Sequence, residues 1–266
     1  MVTFRGLTRF YVRDAGQRHQ MDVQELRAAF VATEAIAEKL RTFRDSRLAH
    51  ILAGDAPVKL WPHPTFVMHL LPVKSDLASA QFDPRNVGDH WRNLMSIDFI
   101  EAPTTRTNLD GFLIYASPMY VDKPQSRSYI QVFRNASIEA VITLSRGTEP
   151  ITQVAGTDFE KTAVDLLESL RTFRAAVGIQ APFVVAVTLL RYEAVALYPG
   201  EPGMTFPRYY DRPMLLLPDV LIDDATTNVA MALRPLFDVA WQAAGFNGSP
   251  NFDANGEWQP PKSRSR

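Results

Sequence analysis

Tyr129-Ile-Gln-Val-Phe-Arg134, followed by Asn135-Ala-Ser137 and then Ile138-Glu-Ala-Val-Ile-Thr-Leu-Ser145, decides the fold class. Two runs rich in β-branched and aromatic residues, parted by small polar ones, predict adjacent antiparallel strands. A two-residue turn over Asn135 and Ala136 sets Phe133 against Ile138, Gln131 against Ala140 and Tyr129 against Ile142. That register gathers a mostly apolar row on one side, as a half-buried sheet requires.

Outward from the hairpin, Thr65–Leu71 and Gly111–Ala116 have strand composition. Residues 75–108 between them are polar and irregular, with a short helix near Asp89–Leu94. Downstream, Thr157 with Glu160 resembles a capping box and opens a helix to about Val177, with Val164, Leu167, Leu170, Phe173 and Val177 inward. Phe183–Leu190 is a buried strand that Tyr192–Leu197 continues or pairs with, and Met214–Ile222 is another strand. A last helix begins after Thr226 or Thr227, is kinked or restarted at Pro235, and buries Leu236, Phe237, Ala240, Trp241 and Ala244. The β–β–β–α–β order predicts an α+β fold: a central, largely antiparallel sheet of five or six strands with packed helices, preceded by a strand and a long helix.

That opening strand is Phe4–Arg13. Alternation puts Arg5, Leu7, Arg9, Tyr11 and Arg13 on one side, and a loop follows over Asp14–Gln20. Residues 1–20 hold four Arg and one Asp. Guanidiniums flanking an aromatic can hold phosphates and stack a base, so Arg5, Arg9, Tyr11 and Arg13 are the candidate nucleic-acid contacts. The competing account is an edge strand whose charges block aggregation. Asp22 with Glu25 then opens the long helix, with Val23, Leu26, Phe30, Ala37 and Leu40 inward and Gly54 and Pro57 at its end. Its stripe Arg41, Arg44 and Arg47 is matched by acidic neighbours and fits a salt-bridged face.

The chain of 266 residues is 46% hydrophobic, with Lys+Arg 28 against Asp+Glu 29, so any attraction to nucleic acid must come from a local patch. There is no cysteine, which excludes disulfides, thiolate metal sites and cysteine nucleophiles and suits the cytoplasm. No apolar run reaches the ~20 residues of a spanning helix, so no membrane partner is expected. His19, His50, His63, His69 and His90 lack metal-site spacing, and His63 and His69 fit structural roles. Asp219, Asp223 and Asp224 suit either Mg²⁺ binding or, more simply, a strand end and helix cap. Neither a phosphate-binding glycine loop nor a nucleophile elbow is present, so no catalytic residue, metal or cofactor is assigned. In the last segment, Arg234 and Asp238 are spaced to pair, and Trp241 and Trp258 to clasp residues 247–266 back onto the body, although that segment's Gly, Pro, Ser and Asn predict fraying.

Arg9-Phe-Tyr-Val-Arg13 with Met21-Asp-Val-Gln-Glu-Leu26 resembles the closing strand and exit helix of the AlbA-like (Schlafen AlbA_2-type) DNA-binding domain of bacterial proteins, often labelled ATP-binding or helix-turn-helix. Leu40-Arg-Thr-Phe-Arg44 with Arg47-Leu48, Asn108-Leu-Asp-Gly111, Val132-Phe-Arg-Asn135 with Ile138-Glu139, and Leu233 to Trp258 are similar to the segment that follows it. The resemblance implies that residues 1–20 end such a domain, whose body would lie upstream. Residues 21–246 would form a mixed α and β domain and 247–266 a flexible tail. The acidic residues of Schlafen nucleases have no counterpart here, no phosphate loop supports the ATP label, and Ala136 stands where glycine is expected. The resulting expectation is a non-catalytic accessory or interaction domain of a nucleic-acid-associated protein, regulatory or defence-related, partnered by nucleic acid, an upstream AlbA-like domain or another protein. The alternatives are a small-ligand sensor, with a pocket between the sheet and residues 75–108, and an enzyme with an unrecognised site.

Overall fold

A computed structural model of the chain describes the backbone of residues 2–4, 7–9, 11–14, 17–20, 23–73, 82–94, 102–118, 124–146, 149–193, 195–199, 206–223, 226 and 228–259. Side chains are described at 23, 24, 34 and, within those ranges, from 36 onward. Two compact units divide it, residues 1–49 and 50–266.

The first unit opens with two short hairpins, not one strand. β1 (Val2–Phe4) pairs antiparallel with β2 (Leu7–Arg9), and β3 (Tyr11–Asp14) with β4 (Gln17–Gln20). A single ten-residue ribbon would leave its backbone donors and acceptors unmet, whereas folding back twice pairs them locally. The segment expected as a loop thus supplies a strand. Helix α1 (Val23–Ala53) follows, and the division between the units falls within it. Val23, expected inward, is 64% exposed, while Leu48 and Ile51, three apart near the other end, are buried. Gly54 ends the helix at φ +82°, with Gly54 N–H donating to Ile51 O and Asp55 N–H to His50 O. That pair of hydrogen bonds is a Schellman cap, which glycine adopts without Cβ strain.

The second unit is organised by one antiparallel sheet. Its strands are β5 (Thr65–Pro72), β6 (Pro103–Thr107), β7 (Gly111–Ala116), β8 (Ser128–Phe133), β9 (Ile138–Thr143), β13 (Phe183–Leu190), β16 (Met214–Leu216) and β17 (Val220–Ile222). The spatial order is β16-β13-β5-β9-β8-β7-β6, with β17 also on β13. Eight strands replace the expected five or six for two reasons. β6 lies in the stretch read as irregular. Met214–Ile222 breaks around Pro218, which has no N–H for a ladder, so its halves pair with opposite ends of β13.

The deciding hairpin exists, but its register is one residue from the expected one. Val132 faces Ile138, Gln131 faces Glu139 and Ser128 faces Ile142. The turn is the cause. Phe133 N–H donates to Ser137 O at 2.8 Å and Ala136 N–H to Phe133 O at 2.9 Å, which closes a three-residue loop. Ala136 takes φ +63°, the left-handed position of a bulged hairpin where glycine is preferred. Ile130 and Val132 therefore join Ile138, Ala140 and Ile142 on one face, while Tyr129, Gln131 and Glu139 go to the other.

Helices α2 (Gly156–Ala176) and α3 (Val229–Ala243) share one core with the first of those faces. Leu166, Leu167, Leu170 and Phe173 of α2 and Leu233, Leu236, Phe237 and Trp241 of α3 are fully buried. Pro235 lies inside α3, which continues through it. A Cβ at position 156 would overlap the Trp241 indole, so glycine there permits the close approach of α2 to α3. The remaining strands are β10 (Ser145–Arg146) with β11 (Glu149–Pro150), and a three-stranded sheet of β12 (Gln153–Ala155), β14 (Ala196–Tyr198) and β15 (Arg208–Tyr209). Residues 196–198 therefore pair with β12 and β15, neither continuing β13 nor pairing with it, the two arrangements expected.

Candidate functional site

Of the predicted nucleic-acid contacts, Arg5 lies outside the described residues. Arg9 is on β2, opposite Val2, in a different sheet from Tyr11 and Arg13. The alternation argument therefore joins only the last two. In their place the β3–β4 register sets Arg13 directly opposite Arg18 and Tyr11 directly opposite Gln20. Residues directly opposed, or two apart on a strand, belong to one face, so these four positions share a face of the ribbon. Arg18 was missed because its segment was read as a loop; the Asp14-Ala-Gly16 sequence is the turn signal that reveals it. On α1, Arg41 pairs with Glu38 at 3.2 Å and Arg44 with Asp45 at 3.5 Å, which is the salt-bridged face the sequence suggests.

A second polar group is built into the sheet. Glu139 of β9 accepts from the Tyr129 hydroxyl at 2.7 Å through one oxygen, and its other oxygen lies 2.9 Å from His69 Nε2. All three side chains are fully buried. Beside them Asn108 donates to Gln131 Oε1 at 2.7 Å and accepts from Gly111 N–H at 2.8 Å, which shapes the β6–β7 turn. The cluster compensates a buried carboxylate inside the ladder, in keeping with a structural His69. His63 stacks on Trp61 at 5.7 Å, and burial holds its imidazole below the usual histidine range, with Arg191 adding to and Glu149 opposing the effect. Tyr192 and Tyr210 meet edge to face at 5.6 Å, and burial pushes both phenols well above the tyrosine range, helped at Tyr192 by the neighbouring Tyr210.

The third group holds residues 247–259. Glu160 forms no capping box: the N-cap of α2 is Ala155, with no side-chain cap bond. Its buried carboxylate instead accepts from Trp241 Nε1 at 2.7 Å, from Trp258 Nε1 at 2.7 Å and from the Ser249 hydroxyl. Asp238 accepts from Ser249 N–H at 2.9 Å and lies 3.6 Å from Arg234 Nε. The Arg234 guanidinium also sits 4.8 Å from the Phe252 ring centre, and that of Arg208 sits 4.5 Å from Phe246. Arg234, Asp238, Trp241 and Trp258 thus form the clasp their spacing predicts, but its centre is a glutamate that local sequence assigned to a different task.

Asp223 accepts from the Thr226 hydroxyl at 2.9 Å in a strand-end turn, and Asp224 lies outside the described residues. Among the described residues no group of three His, Asp or Glu is placed to hold a metal ion, and no helix is long and apolar enough to cross a membrane. A hollow of about 480 Å³ is lined by Arg92 and Asn93 and by Glu168, Ser169 and Thr172 of α2. Comparison of the chain with protein-family models, curated proteins and solved structures finds no match in any of the three.

Proposed function

We propose that this chain is a non-catalytic accessory region of a nucleic-acid-associated protein, and that the β3–β4 ribbon is its contact with the nucleic acid. The observation that carries the reading is the register of Arg13 against Arg18. Like charges directly opposite on a ribbon oppose its formation, and a phosphate bound between them reverses the sign of that effect. Tyr11, on the same face, supplies an aromatic surface for a base or sugar. The near-neutral overall charge makes such a contact local, so its salt dependence should trace to few residues.

Replacing Arg13 and Arg18 together by alanine should weaken binding to a short DNA duplex and lower the slope of log affinity against log salt by about two. Arg9→Ala, on the other hairpin, should change it less. Equal slopes for the parent chain and the Arg13/Arg18 double variant, measured by fluorescence anisotropy, would remove the ribbon from the interface.

A further inference from the structure

Edge strand β6 and the segment preceding β5 flank a hollow of about 230 Å³ in the 50–266 unit. It is lined by Lys59, Arg106, Tyr115 and Ser126, with Pro57 and Pro124 among its walls. None of the described residues that line it is acidic. We propose that this hollow binds the phosphoryl group of a small phosphomonoester, with Arg106 and Lys59 supplying the positive charge.

Both cations extend from backbone that is already fixed. Arg106 faces Leu113 and Thr104 faces Tyr115 across β6 and β7, so Arg106 and Tyr115 lie on the same sheet face. The guanidinium sits 5.7 Å from the Tyr115 ring centre and donates through Nη2 to the Pro57 carbonyl at 2.7 Å. Ring and carbonyl are both neutral, so they orient the guanidinium without cancelling its charge. Ser126 N–H donates to the Lys59 carbonyl at 2.7 Å, and Leu60 bridges Ser126. The 57–60 segment is thereby tied at two points, one to β6 and one to the chain entering β8.

Several surface cations elsewhere in the unit lie against carboxylates, although Arg134 and Arg208, like Arg106, donate to backbone carbonyls. Arg85, Arg92, Lys161 and Arg171 each lie against a carboxylate. Among the described residues no ion pair engages Lys59 or Arg106. Neither cation is neutralised by a carboxylate among the described residues, and the ordering of the guanidinium has already been met in folding. Two charges suit a dianion better than a carboxylate, and guanidinium donors match phosphoryl oxygens. The volume falls below the roughly 300–1,000 Å³ of sites for drug-sized ligands, which fits a phosphoryl group with a short stub.

Titration calorimetry of the full chain at low ionic strength tests this with ribose 5-phosphate, inorganic phosphate and ribose. The two phosphates should bind in competition with each other, and ribose should not bind. Arg106→Gln, which keeps a donor for Pro57, and Lys59→Gln should each weaken ribose 5-phosphate at least about tenfold. Saturation by ribose, absence of saturable heat with millimolar ribose 5-phosphate, or unchanged affinity in both variants would overturn the proposal. If circular dichroism shows the Arg106 variant unfolded, Lys59→Glu at its exposed position decides: lost binding supports the site, and retained binding sinks it.

Discussion

Glu139 and Glu160 are both fully buried carboxylates in the same unit, yet they are stabilised in opposite ways. Glu139 sits within the sheet beside a phenol and an imidazole, and the imidazole can donate or accept at Nε2. Glu160 faces two indoles and a hydroxyl brought from 81, 98 and 89 residues away. An indole N–H only donates. The first site is therefore adaptable in its hydrogen-bond polarity and the second is not. Buried polar clusters differ less by how many bonds they make than by whether every oxygen faces a partner that cannot reverse its role, as both Glu160 oxygens do.

The largest consequence falls on Glu160→Gln. Whichever way the amide turns, its NH₂ opposes one indole N–H, so urea unfolding should show a loss of about 3 kcal/mol. Trp258 fluorescence should shift to the red as residues 247–259 leave the body. A loss as small as that of the sheet variant below would erase the contrast. Tyr192 and Tyr210 extend it to phenols. Their folded pKa values lie above the unfolded value of 10.0, so the folded state holds those protons more tightly. Their contribution is whole below pH 10 and is lost as pH rises further, by about 1.4 kcal/mol per pH unit for each phenol. Stability measured from pH 8 to 11 should be flat and then fall, and Tyr192→Phe should reduce the fall.

Glu139→Gln should cost about 1–2 kcal/mol, because the displaced proton must then sit on the fully buried Nδ1 of His69. Its amide oxygen still accepts from Tyr129, and its NH₂ donates to His69 once the imidazole moves its proton to Nδ1. The ring-nitrogen resonances of His69 would report that tautomer; an unchanged tautomer with a large stability loss would show the sheet site to be as rigid as the clasp. The smallest effect is a gain. Ala136→Gly relieves the left-handed backbone at φ +63° by more than it loosens the unfolded chain and should raise stability in urea unfolding by roughly 0.5–1 kcal/mol.

What the sequence made legible follows the range of the interactions. The α1 terminus at Gly54, the buried run Phe183–Leu190 and the apolar face of α3 depend on local period and punctuation, and all three are present. The hairpin was legible as a hairpin, but its register depended on Ala136 accepting a conformation that composition argues against. β6 was hidden because an edge strand carries Thr and Arg instead of an apolar alternation. Around the sites, Arg13 and Tyr11 were visible, but the partner Arg18 appears only once the ribbon is known to fold back. Glu160 matched a helix-start pattern whose local reward is small, and donors from distant sequence outweighed it.

The latch on Glu160 also bears on how the chain leaves the ribosome. Helix α2 emerges long before Trp258 is made, with 98 residues of synthesis between the carboxylate and its last partner. Until Trp241 is made only water can satisfy this side chain, and its second oxygen waits for Trp258. The helix thus has reason to stay loosely docked during translation, and a product broken off before Ser249 would keep the Trp241 partner but carry one unsated oxygen into its own core, a defect that quality-control proteases could recognise.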